Sequence, residues 1–231
     1  MNALGINKGT SGNISLRDGE GFLITPTSMP YDLMQPEDII EMRFDHSVVG
    51  NGRPSTEWRF HLDILRARPE VNAIVHAHPI YCTTLAIMER SIPPIHYMVC
   101  AAGGDTIRCA PYATFGTQEL SDNAVEALKD RKACLLAHHG MIAVGDDLRG
   151  AVWLAVEVEN LAHQYVNCLQ LGEPPLRREP EAERDRHDHA ETGEHAQRRR
   201  RLFRARSKEI DYRLPVNARC RCCARHVSTH G

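Results

Sequence analysis

Ala73-Ile74-Val75-His76-Ala77-His78-Pro79 is the stretch that decides how this 231-residue chain is read. Its first half is short, apolar and partly β-branched, and Pro79 closes it, which predicts a strand. Side chains alternate faces along a strand, so His76 and His78 share one face at its C-terminal end. Two imidazoles placed this way suit a divalent transition metal such as zinc. A lone His-x-His also arises by chance. A second apolar run, Lys132-Ala133-Cys134-Leu135-Leu136-Ala137, reads as another strand and ends in His138-His139-Gly140. A carboxylate, Glu57, lies upstream in Pro54-Ser55-Thr56-Glu57-Trp58. Three histidines at strand ends plus one carboxylate would make a tetrahedral zinc site that can open for substrate.

Working outward, Gly9-Thr10-Ser11-Gly12-Asn13 is a polar, glycine-bearing loop, either a plain turn or part of an anion site. Ile14–Arg17 and Phe22–Thr25 flank the turn Asp18-Gly19-Glu20-Gly21 and predict a β-hairpin. Residues 39–44 predict a further strand. Ser55 reads as the N-cap of a helix running to about Ala67, and Arg68-Pro69 ends it. Hydroxyls and free N–H groups at such a terminus favour phosphate, although Ser55 needs no ligand to serve as a cap. Pro79 opens a helix to about Met88, and Ile92–Met98 reads as an extended segment. Residues 106–110 predict a strand, and Thr117 or Ser121 starts a helix to about Lys129. Met141–Val144 predicts a strand, and the longest helix runs from about Asp147 to Leu171, stopped by Gly172. Its apolar stripe is Leu148, Ala151, Val152, Ala155, Val158, Ala162, Tyr165 and Leu169. Strands and helices mix without strict βαβ alternation, which predicts an α/β protein with a mixed sheet between helices.

Composition sets limits on function. No apolar run approaches the roughly 20 residues of a membrane span. The opening residues show no basic region followed by an apolar core, so the expected location is cytoplasmic. The net charge of −2 hides an asymmetry: residues 177–231 carry 15 Lys and Arg against 9 Asp and Glu, and the preceding part 13 against 21. That divides the chain into a domain over 1–175 and a charged tail over 176–231. The tail is rich in Arg, Glu and His and too poor in apolar residues to offset its ordering entropy, so disorder is expected; a frame-shifted or nonhomologous end is an alternative. Acidic residues interleave with most of its basic ones, which argues against a nucleic-acid arm despite Arg198–Arg201. Cys82, Cys100, Cys109, Cys134 and Cys168 read as reduced thiols in apolar surroundings, and Cys220, Cys222 and Cys223 lack zinc-finger spacing.

Several segments together resemble the class II aldolase/adducin family: Asn7–Asn13, Leu23–Thr27, Ser55–His61, Val75–His78, Ser91–Met98, Cys109–Thr117 and His138–Gly140. The resemblance covers about residues 3–172, and Ile95-His96-Tyr97 resembles the branch acting on L-fuculose 1-phosphate. It implies a three-layer α/β/α sandwich with a mixed, largely antiparallel sheet. It implies that His76, His78 and His139 hold zinc, and that Glu57 is a fourth ligand at rest and the acid/base once substrate displaces it. Gly12, Asn13, Thr27, Ser55 and Thr56 would cradle the substrate phosphate. Tyr97 would come from a neighbouring subunit of a homotetramer and exchange a proton at the aldehyde end. The implied reaction cleaves a ketose 1-phosphate, L-fuculose 1-phosphate or similar, to dihydroxyacetone phosphate and an aldehyde such as L-lactaldehyde. Related implications are a pentulose-phosphate epimerase, a methylthioribulose-1-phosphate dehydratase, a 5-deoxypentulose-1-phosphate aldolase, a noncatalytic adducin-like module, or a truncated pseudoenzyme. Three departures stand out. Family members carry a further helix before the glycine loop, Ser28 stands where the close relative has glycine, and nothing after Gly172 matches the family's closing aromatic segment.

Overall fold

A computed structural model describes residues 1–176. The expected tail, with its arginine run and cysteine cluster, lies outside the described residues apart from Leu176. The strands are β1 (Asn13–Asp18), β2 (Gly21–Ile24), β3 (Ile40–Arg43), β4 (Val48–Val49), β5 (Ala73–Ala77), β6 (Arg108–Ala110), β7 (Ala133–Leu136) and β8 (Gly140–Gly145). They form one sheet in the order β4-β3-β2-β1-β5-β8-β7-β6. Every pairing is antiparallel except that of β6 with β7. The helices are α1 (Trp58–Ala67), α2 (Ile80–Ile87), α3 (Gln118–Ala127) and α4 (Leu148–Leu171).

The central strands read as unbroken apolar runs because both of their faces are covered. Ala73, Val75 and Ala77 of β5 pack with Leu135 and Met141 on the face that carries α2 and α4. Ile74, Leu136 and Ile142 belong to the opposite face, under α1 and α3. Period-two alternation thus splits three neighbouring strands between two cores, and the result is the expected α/β/α sandwich. Along α4 the buried stripe is Ala151, Leu154, Ala155, Val158, Leu161, Ala162 and Tyr165, while Leu148 at the helix start is exposed. No helix among the described residues is long and apolar enough to cross a membrane.

Arginines close the C-termini of α1 and α3, whose cap residues are Arg68 and Leu128 and not glycine. Nη2 of Arg17 donates to the carbonyls of Leu65 (2.6 Å) and Arg68 (3.2 Å) at the end of α1. Nη1 of Arg68 donates to Leu128 O (2.9 Å), and Nη1 of Arg108 to Lys129 O (2.7 Å), just past α3. A cation at this end also complements the helix dipole.

Two local expectations change. α1 begins at Trp58 with Glu57 as its N-cap residue, not at Ser55. Ser55 Oγ accepts from Glu57 N (3.3 Å), so the serine supports the turn before the helix. The segment 92–98 is extended only up to His96. Tyr97–Ala102 is a 3-10 helix, whose first turn His96 closes by accepting from Met98 N through Nδ1 (3.1 Å).

The antiparallel register also creates the site's location. Asn13 at the start of β1 pairs with His76 near the end of β5. Ala77 pairs with Met141 near the start of β8. The N-terminal end of α1 brings Glu57 to the same end of the sheet.

Candidate metal centre and substrate site

Four side chains converge there: Glu57, His76, His78 and His139 offer ligand atoms that all lie within 4.8 Å of one another. Nε2 of His76 is 2.9 Å from Nε2 of His78 and 3.2 Å from Oε2 of Glu57. Nε2 of His139 is 3.0 Å from Oε1 of Glu57. The edge of a tetrahedron of nitrogens around zinc is about 3.3 Å, from bond lengths of about 2.0–2.1 Å.

Backbone devices aim each ring. Nδ1 of His76 lies 2.9 Å from the carbonyl oxygen of Met141. A carbonyl only accepts, so Nδ1 carries the hydrogen, and the neutral ring presents the Nε2 lone pair to the cluster. His138 and His139 separate at the turn after β7. His138 takes a left-handed φ of 55° and turns outward to Glu89 (3.1 Å), while His139 turns inward. Gly140 follows because a Cβ there would stand 2.5 Å from Ala77 O and 2.7 Å from Cδ2 of His78.

The donor set fits a divalent cation. Nε2 of His76 faces another imidazole nitrogen and a carboxylate oxygen, three donor atoms turned toward one point as a divalent cation requires. Oε1 of Glu57 is buried and, among the described residues, receives no hydrogen bond. Burial by itself raises the Glu57 carboxyl, but His76 and His139 outweigh that and hold it well below the usual carboxylate range. Burial, then the neighbouring His76 and His139, bring His78 down to about 4, so it stays in the unprotonated form a metal needs.

The residues expected to cradle phosphate lie on three loops stitched side by side. Thr25 N donates to Ile14 O (3.1 Å), Ser55 N to Thr25 O (3.1 Å) and Thr27 N to Arg53 O (3.1 Å). Gly12 sits at φ 72°, where a Cβ would be 2.6 Å from His76 O, so the loop runs hard against the metal strand. Ser28 adopts φ 58°, the left-handed conformation that glycine takes most easily, at the position where the family resemblance expects glycine. The Asn13 side chain is engaged elsewhere: Nδ2 donates to Glu57 Oε2 (2.9 Å) and Oδ1 meets His61 Nε2. Tyr97 is half exposed, its ring tilted against that of His96 with centroids 4.6 Å apart.

Sequence reading missed several residues at the site. His61 and Ser15 extend the Asn13 contact, with Ser15 Oγ 2.7 Å from His61 Nδ1. Tyr31 donates its hydroxyl to Gly12 O (2.7 Å); burial and then the charge of Glu57 push that phenol up to about 12. Asn7 ties the loop to β5, its Nδ2 donating to Ser11 O while its Oδ1 accepts from His78 N (3.4 Å). Two weak signals were available. Asn13 and Ser15 are two apart on a strand, and Glu57 and His61 are four apart at a helix start, so each pair shares a face.

The chain is similar to proteins of known family. The profile of the Class II Aldolase and Adducin N-terminal domain matches residues 1–166. A 5-methylthioribulose-1-phosphate/5-deoxyribulose-1-phosphate aldolase of Rhodospirillum rubrum is 53% identical over 184 residues, covering 80% of this chain and 83% of the relative. An L-fuculose phosphate aldolase of Escherichia coli K12 is 50% identical over 180 residues, covering 75% and 81%. A solved L-fuculose 1-phosphate aldolase superposes with a TM-score of 0.77 at 37% identity, covering 80% of this chain and 88% of that one. With its sheet, its Glu-and-three-His cluster and these relatives in agreement, the chain belongs to the class II aldolase and adducin N-terminal domain family, on its lyase side.

Proposed function

We propose that the protein is a zinc-dependent aldolase that cleaves a ketose 1-phosphate to dihydroxyacetone phosphate and an aldehyde. The observation that carries this reading is the convergence of buried Glu57 and His76 with half-buried His78 and His139, with Glu57 Oε1 left without a hydrogen bond among the described residues. Zinc held by these residues supplies Lewis-acid stabilisation of the negative charge left on the dihydroxyacetone phosphate half when C3–C4 breaks.

The chain's own residues do the rest. Asn13 holds Oε2 of Glu57, so Oε1 is the oxygen that delivers a proton to the carbanion carbon in cleavage and removes it in synthesis. The backbone turn at Gly12 and the hydroxyls of Thr27, Ser55 and Thr56 hold the phosphate and fix the reacting carbons. Asn13 serves that cradle as the strand residue after Gly12, with its side chain turned to Glu57. Tyr97, half exposed, acts from a neighbouring subunit of a homotetramer at the aldehyde-end oxygen.

The aldehyde half separates two substrate readings. The resemblance of Ile95-His96-Tyr97 favours L-fuculose 1-phosphate; the Rhodospirillum rubrum relative favours 5-deoxyribulose or 5-methylthioribulose 1-phosphate. A coupled assay for dihydroxyacetone phosphate release, run on these three sugars, tests both. Release from L-fuculose 1-phosphate with the highest kcat/KM supports the first, and from either ribulose derivative the second. Release from none refutes the aldolase reading.

A further inference from the structure

We propose that His61 is a positioning residue for Glu57. Held by Ser15, it locks the Asn13 amide so that Asn13 can only donate to the Glu57 carboxylate, which fixes where that carboxylate sits in the metal centre. Ionised Glu57 only accepts, so the Asn13 atom 2.9 Å from Oε2 is its NH2 group. The other end of the amide, Oδ1, then faces His61 Nε2 and also only accepts, so Nε2 carries the ring hydrogen. His61 is fully buried, and as a neutral ring it leaves Nδ1 as an acceptor, which Ser15 Oγ at 2.7 Å fills by donating. Every donor in the chain points the same way: Ser15 to His61, His61 to Asn13, Asn13 to Glu57.

The fold keeps this chain dry and fixed. Asn13, Ser15 and Glu57 are at most 7% exposed. Phe60 stacks on His61 (4.7 Å) and meets His76 edge-on (5.2 Å), so the imidazole has little room to turn. Without the His61 N–H, an amide rotation that puts Asn13 Oδ1 toward Glu57 no longer costs a hydrogen bond at the far end. That rotation sets two acceptors against each other and pushes the carboxylate out of place. The ring nitrogens of His61 meet Ser15 and Asn13 and not a candidate metal ligand, so its effect on Glu57 passes through Asn13.

The inference rests on the aldolase reading only for its catalytic consequence, and the test separates the two. The variants are His61→Gln, whose amide nitrogen reaches the place of Nε2, and His61→Asn, whose amide reaches only the place of Nδ1. Zinc affinity is read by competition with a chromophoric chelator, and kcat and KM from dihydroxyacetone phosphate release. Loss of an outer partner of a metal ligand costs about 10–100-fold in affinity or activity. His61→Asn is expected to lose that much in zinc affinity and in kcat, with KM within about threefold. His61→Gln is expected to recover most of both losses. In the wild-type protein, long-range 15N–1H spectra should show the His61 ring protonated at Nε2. A destabilised but otherwise structural histidine would make the two variants alike, and equal losses in both overturn the proposal, as does wild-type zinc affinity in His61→Asn or an Nδ1-protonated ring. If no ketose phosphate is cleaved while the zinc-affinity order holds, the positioning role stands and the aldolase reading falls.

Discussion

Glu57→Gln changes one atom of the site and separates proton transfer from metal holding. Asn13 Nδ2 needs an acceptor at 2.9 Å, so the introduced side chain turns its carbonyl oxygen to Asn13. Its NH2 group is thereby forced into the place of Oε1, 3.0 Å from Nε2 of His139. The orientation is not free to reverse, since the reverse sets two NH2 groups against each other. An amide cannot take up or deliver the proton, and loss of a general acid/base costs about 10²–10⁴ in rate, or about 3–5 kcal/mol of barrier. The three imidazoles remain, so zinc content should persist at about one per chain under saturating metal. Two assays are needed. One is dihydroxyacetone phosphate release at matched zinc content. The other is exchange of the dihydroxyacetone phosphate C3 hydrogen with deuterated water, followed by NMR without any aldehyde. Both should fall together. If exchange continues at the wild-type rate while cleavage falls, Glu57 is not the base. If neither changes, it has no part in the chemistry.

The other predictions concern metal, loop, helix and pH. His76→Ala or His78→Ala should reduce zinc from about one per chain to near none by elemental analysis, and chelator treatment of the wild type should remove turnover; a metal-free, fully active protein would rule out the site. Gly12→Ala places a methyl 2.6 Å from His76 O at a left-handed φ, so urea unfolding should show a loss of about 2–4 kcal/mol together with weaker zinc binding; unchanged values for both would sink the close-approach argument. Glu159 on α4 accepts from the N–H groups of Tyr81 (3.0 Å) and Cys82 (2.9 Å), so Glu159→Ala should cost about 2 kcal/mol in the same assay, and a neutral result would show that water serves α2 equally well. Burial, then the neighbouring His76, bring His61 down to about 3, so the unfolded chain binds one more proton than the native state between about pH 6.5 and 3. Stability from this group is complete above about pH 6.5 and falls by about 1.4 kcal/mol per pH unit as the solution is acidified. His61→Gln should remove that slope, and an identical acid limb in the variant would contradict the neutral, buried histidine.

Most of the layered fold was legible because the central strands obey one rule. In β5, β7 and β8 every residue is apolar or a site histidine, and period two assigns alternate residues to two cores. Asp147, Thr117 and Pro79 stand at the N-caps where the sequence placed helix starts. The misplaced start of α1 has a specific cause. Ser55 is a preferred cap type and sits before an apolar-periodic run, but its N–H is committed to Thr25 O and its carbonyl to Trp58 N. Tertiary pairing of the 53–55 segment with 25–27 therefore holds Ser55 extended and delays the helix. The short β4 and the 3-10 turn at Tyr97 carry too few residues for a period to be read.

The candidate metal ligands could be read because each carries its chemistry in its own side chain, the histidines at strand ends and Glu57 at the start of α1. The chain behind them could not, because it depends on pairing between distant segments. Asn13 is 44 residues from Glu57 and 48 from His61. Local spacing places Asn13 with Ser15, and Glu57 with His61, but says nothing of which strand face meets which helix face. That is decided when β1 pairs with β5 through Asn13 and His76 while α1 lies over the same face of the sheet. A one-residue slip of β1 would turn Asn13 and Ser15 toward α4, strand His61 without partners in the opposite core, and leave Glu57 with only the metal to hold it. The register of β1 therefore bears on where Glu57 sits as much as any candidate ligand does, and Gly12, whose added Cβ would stand 2.6 Å from His76 O, lies at the end of β1 where that register begins.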